Sequence, residues 1–241
     1  MRGLVGTLCA VAAGAVFWAA GTEAGARSFE TSAGRVEVAR VAGPFDSPWG
    51  LAFLPGGAML VTEQGGALWH ISGGERREVA GVPESVEIGQ GGLLDVAAAR
   101  DFAETRTVFL TYTAPAGGRE TRMTLAKARL SESGDRLEDV SVLFEQDPPV
   151  ASGRHFGSRV VEAPDGTLFV TVGDRARRPF AQDRDKTIGK VLRVARDGSI
   201  PPDNPFVHDP DTASEIWSLG HRNAQGAALD AEGRLWTVEH G

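Results

Sequence analysis

The sequence predicts an all-β fold, a β-propeller, on three observations. A strand–turn–strand unit recurs at intervals of roughly 40–60 residues, the spacing of propeller blades. The 31 Gly and 13 Pro are spread along the whole chain, which favours short strands and tight turns over long helices. Polar groups and Gly recur just past the second strand of three of the units, as they would where blade ends gather around a central channel.

Taken in order, residues 49–57 lead into 58–63 as strand, turn and strand. A looser second unit runs from Leu93 through Arg100-Asp101-Phe102 to residues 108–112. Residues 158–166 then lead into 167–172, and 225–233 into 234–239. Three of these turns end in Gly, which supplies the positive φ a tight turn needs. The turns near residues 57, 102, 166 and 233 lie 45, 64 and 67 residues apart. Glu63-Gln64-Gly65, Gly173-Asp174 and Glu239-His240-Gly241 supply the repeated polar ending. A β-sandwich also turns every dozen residues; the shared ending favours the propeller. Four units give about four blades over residues 27–241. The sequence reaches Gly241 directly after a strand, with no returning segment to seal a ring. Closure is how propellers protect strand edges, so the expectation is a chain cut short.

Residues 1–26 read as a signal peptide. Arg2 precedes an uncharged Ala/Gly/Val-rich stretch from Gly3 to Gly21, and Ala24-Gly25-Ala26 is a small-x-small cleavage pattern. An uncleaved anchor is the alternative, since a span needs about 20 residues. Cleavage removes Cys9, the one Cys, so the expected propeller domain, residues 27–241, carries no disulfide. Such a domain folds without redox help in the periplasm or outside the cell, with no stable membrane insertion. Apolar content of 41% with a net charge of -7 excludes composition-driven disorder. The acidic balance argues against nucleic acid as a partner.

Chemistry is expected at the blade ends. His155 stands in Ser152-Gly153-Arg154-His155-Phe156-Gly157-Ser158-Arg159, just before a strand, and Asp174 follows the partner strand. Strand, turn and strand bring the chain back, so the two can be neighbours at one end of a hairpin. A carboxylate beside an imidazole fixes its tautomer and suits it to general-base work. On spacing alone, a His at a strand start is more commonly a hydrogen-bonded surface residue. Gly220-His221-Arg222-Asn223-Ala224-Gln225-Gly226 sets a guanidinium fork and two amides before another strand. That set can hold a planar polyanionic cofactor, and it reads equally as a turn satisfying its own backbone. Gln90-Gly91-Gly92 precedes a further strand and points into the same channel. The Pro-rich residues 197–206 carry carboxylates without EF-hand spacing and read as structural. Arg175 to Arg178 reads as a solvated loop near Asp174, at most framing a pocket mouth.

In this order the motifs resemble the soluble pyrroloquinoline quinone (PQQ)-dependent glucose and aldose sugar dehydrogenases, which are six-bladed β-propellers. The matching pieces begin with Pro48-Trp49-Gly50-Leu51-Ala52-Phe53, Gly89-Gln90-Gly91-Gly92-Leu93-Leu94 and Gly153-Arg154-His155-Phe156-Gly157-Ser158-Arg159. They continue with Val172-Gly173-Asp174, Ile188-Gly189-Lys190-Val191-Leu192-Arg193, Asp197-Gly198-Ser199-Ile200-Pro201 and Asp203-Asn204-Pro205-Phe206. The Gly220–Gly226 cluster and Glu239-His240-Gly241 complete them.

The resemblance implies that His155 takes the proton of an aldose sugar's anomeric hydroxyl while hydride passes to PQQ, and that Asp174 orients this His. It makes Gln90 a pocket glutamine near substrate and cofactor. It makes Arg222 and Asn223 quinone contacts with Gln225 beside them, and Gly241 a carbonyl ligand of an active-site Ca²⁺. Electrons would pass to an external acceptor, a quinone or a cytochrome. The next Ca²⁺ ligand and the last blades of the family, with their Lys, Arg and Thr contacts to the cofactor, have no counterpart here. The expectation is therefore that this chain alone is inactive. Two other readings stand beside it: a Ca²⁺-dependent lactonase-type propeller hydrolase, and a non-catalytic propeller that binds a partner. The Arg222-Asn223 cluster and the His-before-strand motif favour the dehydrogenase.

Overall fold

The computed structural model describes residues 27–240, and the chain divides into two compact units at Val41/Ala42. The signal-peptide reading of residues 1–26, Cys9 included, and the Ca²⁺ role of Gly241 lie outside the described residues. In the first unit, β1 (Arg27–Thr31) and β2 (Gly34–Val38) pair antiparallel, with Thr31 opposite Gly34. Thr31 Oγ1 donates to the Gly34 carbonyl at 2.7 Å, closing the turn.

The second unit is a series of antiparallel meanders. β3 (Pro48–Phe53), β4 (Met59–Glu63), β5 (Leu68–Ser72) and β6 (Glu75–Glu78) form the first sheet in chain order. β7 (Leu93–Ala98), β8 (Thr107–Pro115), β9 (Thr121–Leu130) and β10 (Leu137–Glu145) form the second. β11 (Gly157–Glu162), β12 (Leu168–Val172), β13 (Lys190–Val194) and β14 (Ile216–Leu219) form the third, and β15 (Ala224–Leu229) pairs with β16 (Leu235–Glu239). The first strands β3, β7, β11 and β15 lie beside one another in sequence order, as the inner strands of propeller blades do. Each unit read from the sequence is the inner hairpin of one blade. The four blades are three four-stranded sheets and one two-stranded sheet. The looser turn of the second unit is a single helical turn, α1 (Phe102–Thr105), closed by Arg106 in the left-handed region at φ 55.

Successive side chains of a strand point to opposite faces, so a sheet set between two others sends alternate residues to two cores. Val108, Leu110 and Tyr112 of β8 share a core with Leu60 and Leu68 of the first sheet. Phe109, between them, joins the core of Val170 and Leu192 in the third. In β12, Leu168, Val170 and Val172 face that second core, whereas Phe169 packs with Leu229 and Leu235 of the fourth. Burial on both faces explains why β8 and β12 read as almost unbroken apolar runs.

The blades are also joined by hydroxyls. Every inner strand carries a bulge, between Pro48 and Leu51, Leu93 and Val96, Gly157 and Val160, and Ala224 and Gly226. A bulge removes a backbone N–H from the ladder. A buried Thr on the second strand replaces the lost partner in the first three blades. Thr62 Oγ1 accepts from Gly50 N–H at 2.8 Å and donates to the Leu94 carbonyl of the next blade at 2.5 Å. Thr111 accepts from Asp95 N–H at 3.0 Å and donates to the Ser158 carbonyl at 2.7 Å. Thr171 accepts from Arg159 N–H at 2.9 Å and donates to the Ala224 carbonyl at 2.7 Å. One residue before Glu239, the matching position of the fourth blade is Val238.

Replacing Thr111 by Val keeps the shape and leaves a buried donor and a buried acceptor unpaired. We expect a loss of about 1–3 kcal/mol in urea unfolding, with most of it recovered by Thr111→Ser. Equal stability of Thr111→Val and the parent would show that the hydroxyl relay carries no weight.

Candidate active site

His155 lies two residues before β11 and Asp174 two after β12, and the terminal pair of this hairpin is Gly157 opposite Val172. The hairpin therefore delivers both residues to one end. His155 Nδ1 and Asp174 Oδ1 are 2.6 Å apart, with side chains 14% and 2% exposed. The same Oδ1 accepts Ala176 N–H at 2.7 Å, which fixes the carboxylate at a second point. A carboxylate only accepts, so Nδ1 carries the proton and the Nε2 lone pair is left to take another.

The backbone of His155 is held from three sides. It sits in the left-handed region at φ 55, which a residue with a Cβ seldom adopts. Its N–H donates to Gln90 Oε1 at 2.8 Å, and its carbonyl accepts Arg175 N–H at 3.2 Å. Gly173 passes so close that a Cβ there would lie 1.9 Å from the His155 carbonyl oxygen. Gln90, placed by sequence in the pocket, thus contacts the His155 main chain directly.

The segment before β15 is bonded to the same hairpin. Asp174 N–H donates to the Arg222 carbonyl at 2.7 Å, and Asn223 Oδ1 accepts Gly157 N–H at 3.0 Å. Arg222 Nη1 donates to the His240 carbonyl at 3.2 Å, whereas its Nε is shielded from solvent with no partner among the described residues. Glu239 binds Arg222 N–H with one carboxylate oxygen and meets His221 Nδ1 with the other at 2.9 Å. Burial works upward on the Glu239 carboxyl, but the hydrogen bonds from Arg222 and His221 outweigh it and hold the group below its ordinary range. Gln225 is exposed beside them, and its carbonyl accepts Arg159 Nε at 3.0 Å. The structure thus gathers His155, Asp174, Gln90, Arg222 and Asn223 into one hydrogen-bonded cluster, with Gln225 at its edge.

Three further participants were not singled out by sequence reasoning. Arg159 stacks over Trp49 at 4.8 Å and pairs with Asp95 Oδ1 at 2.5 Å, so this chain of contacts crosses all four blades. Burial pushes the Asp95 carboxyl up to about 6 against the opposing pull of Arg159. Glu239, which orders Arg222, is the third. The solvated-loop reading of Arg175 to Arg178 needs correction. Arg177 and Arg178 are exposed, but Arg175 is fully buried, because its guanidinium finds acceptors on the neighbouring blade. The Pro-rich residues 197–206 are structural: Asn204 Nδ2 donates to the carbonyls of Arg193 and Ser214, both at 2.9 Å.

Comparison with known proteins fits this geometry. Residues 45–241 match the family described as Glucose / Sorbosone dehydrogenase. Aldose sugar dehydrogenase YliI of Escherichia coli K12 is 42% identical over 200 residues, covering 81% of this chain and 54% of the relative. Quinoprotein glucose dehydrogenase B of Acinetobacter calcoaceticus is 30% identical over 225 residues, covering 81% of this chain and 46% of the relative. The PQQ-bound form of an aldose sugar dehydrogenase from Streptomyces coelicolor superposes with a TM-score of 0.73 at 32% identity, covering 83% of this chain and 58% of that one. The chain therefore spans about half the length of the curated relatives it matches.

Gly173→Ala tests how tightly the backbone is set. The added methyl must displace the His155 carbonyl, so the imidazole leaves Asp174 and stability falls by about 1–3 kcal/mol, the usual cost of overpacking. A structure of the variant that retains the His155–Asp174 hydrogen bond would refute this.

Proposed function

The chain belongs to the glucose/sorbosone dehydrogenase family, and on that premise we propose that the whole protein oxidises the anomeric carbon of an aldose sugar to the lactone. The observation that carries the proposal is the His155–Asp174 pair at 2.6 Å, anchored beside Arg222 and Asn223. His155 Nε2 takes the proton of the anomeric hydroxyl as C1 gives up its hydride. Asp174 holds the ring in the tautomer that can accept, and its charge stabilises the imidazolium that results.

The hydride needs an acceptor. PQQ, when bound, supplies a two-electron acceptor of planar, anionic form. The Arg222 Nε, shielded and without a partner among the described residues, is the kind of donor such a group would satisfy. Asn223 spends its amide oxygen on Gly157 and has its NH₂ to offer, Gln90 is bonded to the His155 main chain, and Gln225 lies at the edge of the cluster. Likeness to a relative described as PQQ-bound and to a quinoprotein supports the cofactor. Ca²⁺, an external quinone or cytochrome acceptor, and export to the periplasm or medium belong to the same proposal. The family match favours this reading over a lactonase or a non-catalytic module.

In the whole protein, His155→Ala should lower sugar turnover with an artificial electron acceptor by about 10²–10⁴-fold while PQQ still binds in a spectral titration. Asp174→Asn should fall between the variant and the parent. A parent-like rate for His155→Ala would remove His155 as the base, and indifference of the protein to added PQQ would point to the hydrolase.

A further inference from the structure

We propose that Arg175 is the positioning residue of His155: its buried guanidinium ties the segment 152–156 to the second sheet and so sets the imidazole against Asp174. Arg175 is fully buried, yet every acceptor it uses is neutral. Nη1 donates to Gln146 Oε1 at 2.8 Å and to the Thr121 carbonyl at 3.4 Å. Nη2 donates to Thr121 Oγ1 at 2.9 Å and to the Ser152 carbonyl at 2.5 Å, and Nε to the Arg154 carbonyl at 3.3 Å. The guanidinium carbon lies 3.7 Å from the centre of the Phe156 ring. The Arg175 main-chain N–H holds the His155 carbonyl. One residue therefore contacts Ser152, Arg154, His155 and Phe156 at once.

Two of these anchors, Thr121 and Gln146, stand at the start of β9 and just beyond β10, whereas the others flank His155. A planar fork with five donors can bridge both groups; a Lys ammonium cannot span them. The need for a bridge is local. A residue with a Cβ persists at φ 55 only where its surroundings over-determine it, and Gln90 alone holds one side of His155. Burying a cation without an anion is unfavourable, so stability alone gives little reason for this arrangement. Burial pushes the guanidinium down to about 9, in keeping with that cost.

The base role of His155 rests on the proposed function; the control of its geometry by Arg175 does not. The test therefore reads the ring in the cofactor-free protein. In ¹⁵N-histidine-labelled whole protein, the Nδ1 proton shared with Asp174 gives a low-field resonance, identified by its loss in His155→Ala. Arg175→Lys keeps a cation and removes the fork, and Thr121→Val removes one anchor at constant shape. Both should speed exchange of that proton with water by about tenfold or more, the factor carried by one charge-assisted hydrogen bond, with circular dichroism unchanged. Sugar turnover should fall in kcat and leave KM in place. Unchanged exchange in folded Arg175→Lys, or in Thr121→Val should the first variant not fold, overturns the proposal. Faster exchange in a protein that oxidises no sugar leaves the Arg175 role standing and removes the functional reading instead.

Discussion

The bulge in each inner strand is the constraint on which the rest of the structure depends. It frees one backbone N–H per blade, and in three blades a buried threonine accepts from that donor and donates its own hydrogen bond to the next blade. The freed residue itself is Gly50 in the first blade, Asp95 in the second and Arg159 in the third. One register position thus supplies room, an anion and a cation. A Cβ on Gly50 would lie 3.0 Å from Asp95 Oδ1 and closer still to the backbone of β7, so the glycine makes space for the Asp95–Arg159 pair. The geometry that joins blades also sets side chains at the end where His155 and Asp174 meet.

The sequence made the inner hairpins legible because both strands of each lie within 16 to 23 residues and share a turn. It made the His155–Asp174 contact legible for the same reason, since strand, turn and strand return the chain to its start. The outer strands were less visible. β6 is Glu75–Glu78, exposed throughout, and carries no apolar alternation to read. Arg175 was misread because nothing in Arg175-Ala176-Arg177-Arg178 distinguishes the buried guanidinium from the exposed ones. Its acceptors come from residues 121, 146, 152 and 154, and no local pattern encodes a meeting of that kind. Glu239 was visible as part of a motif, but its bonds to His221 and Arg222 appear only when β15 and β16 pair.

Two kinds of arginine divide the work of the molecule. Arg193 and Arg196 sit over carboxylates: Arg193 bridges Asp165 and Asp203, and Arg196 bridges Asp101 and Glu162. These pairs pin turns and the Pro-rich loop. Arg175 instead meets carbonyls, an amide, a hydroxyl and an aromatic face. A set of fixed neutral acceptors drawn from two blades accepts only one orientation of a planar fork. The second arrangement is the one found next to His155.

The alternation of β8 between two cores has a consequence for how substitutions combine. Phe109 and Leu110 are covalent neighbours, yet Phe109 shares its surroundings with Val170 and Leu192, and Leu110 with Leu60 and Leu68. Energetic coupling follows contact, not sequence distance. A substitution at Phe109 therefore disturbs the core that holds Val170, some sixty positions away, and not the core of its neighbour Leu110. Genetic interactions in this protein should run around the propeller from blade to blade, skipping alternate letters of the sequence.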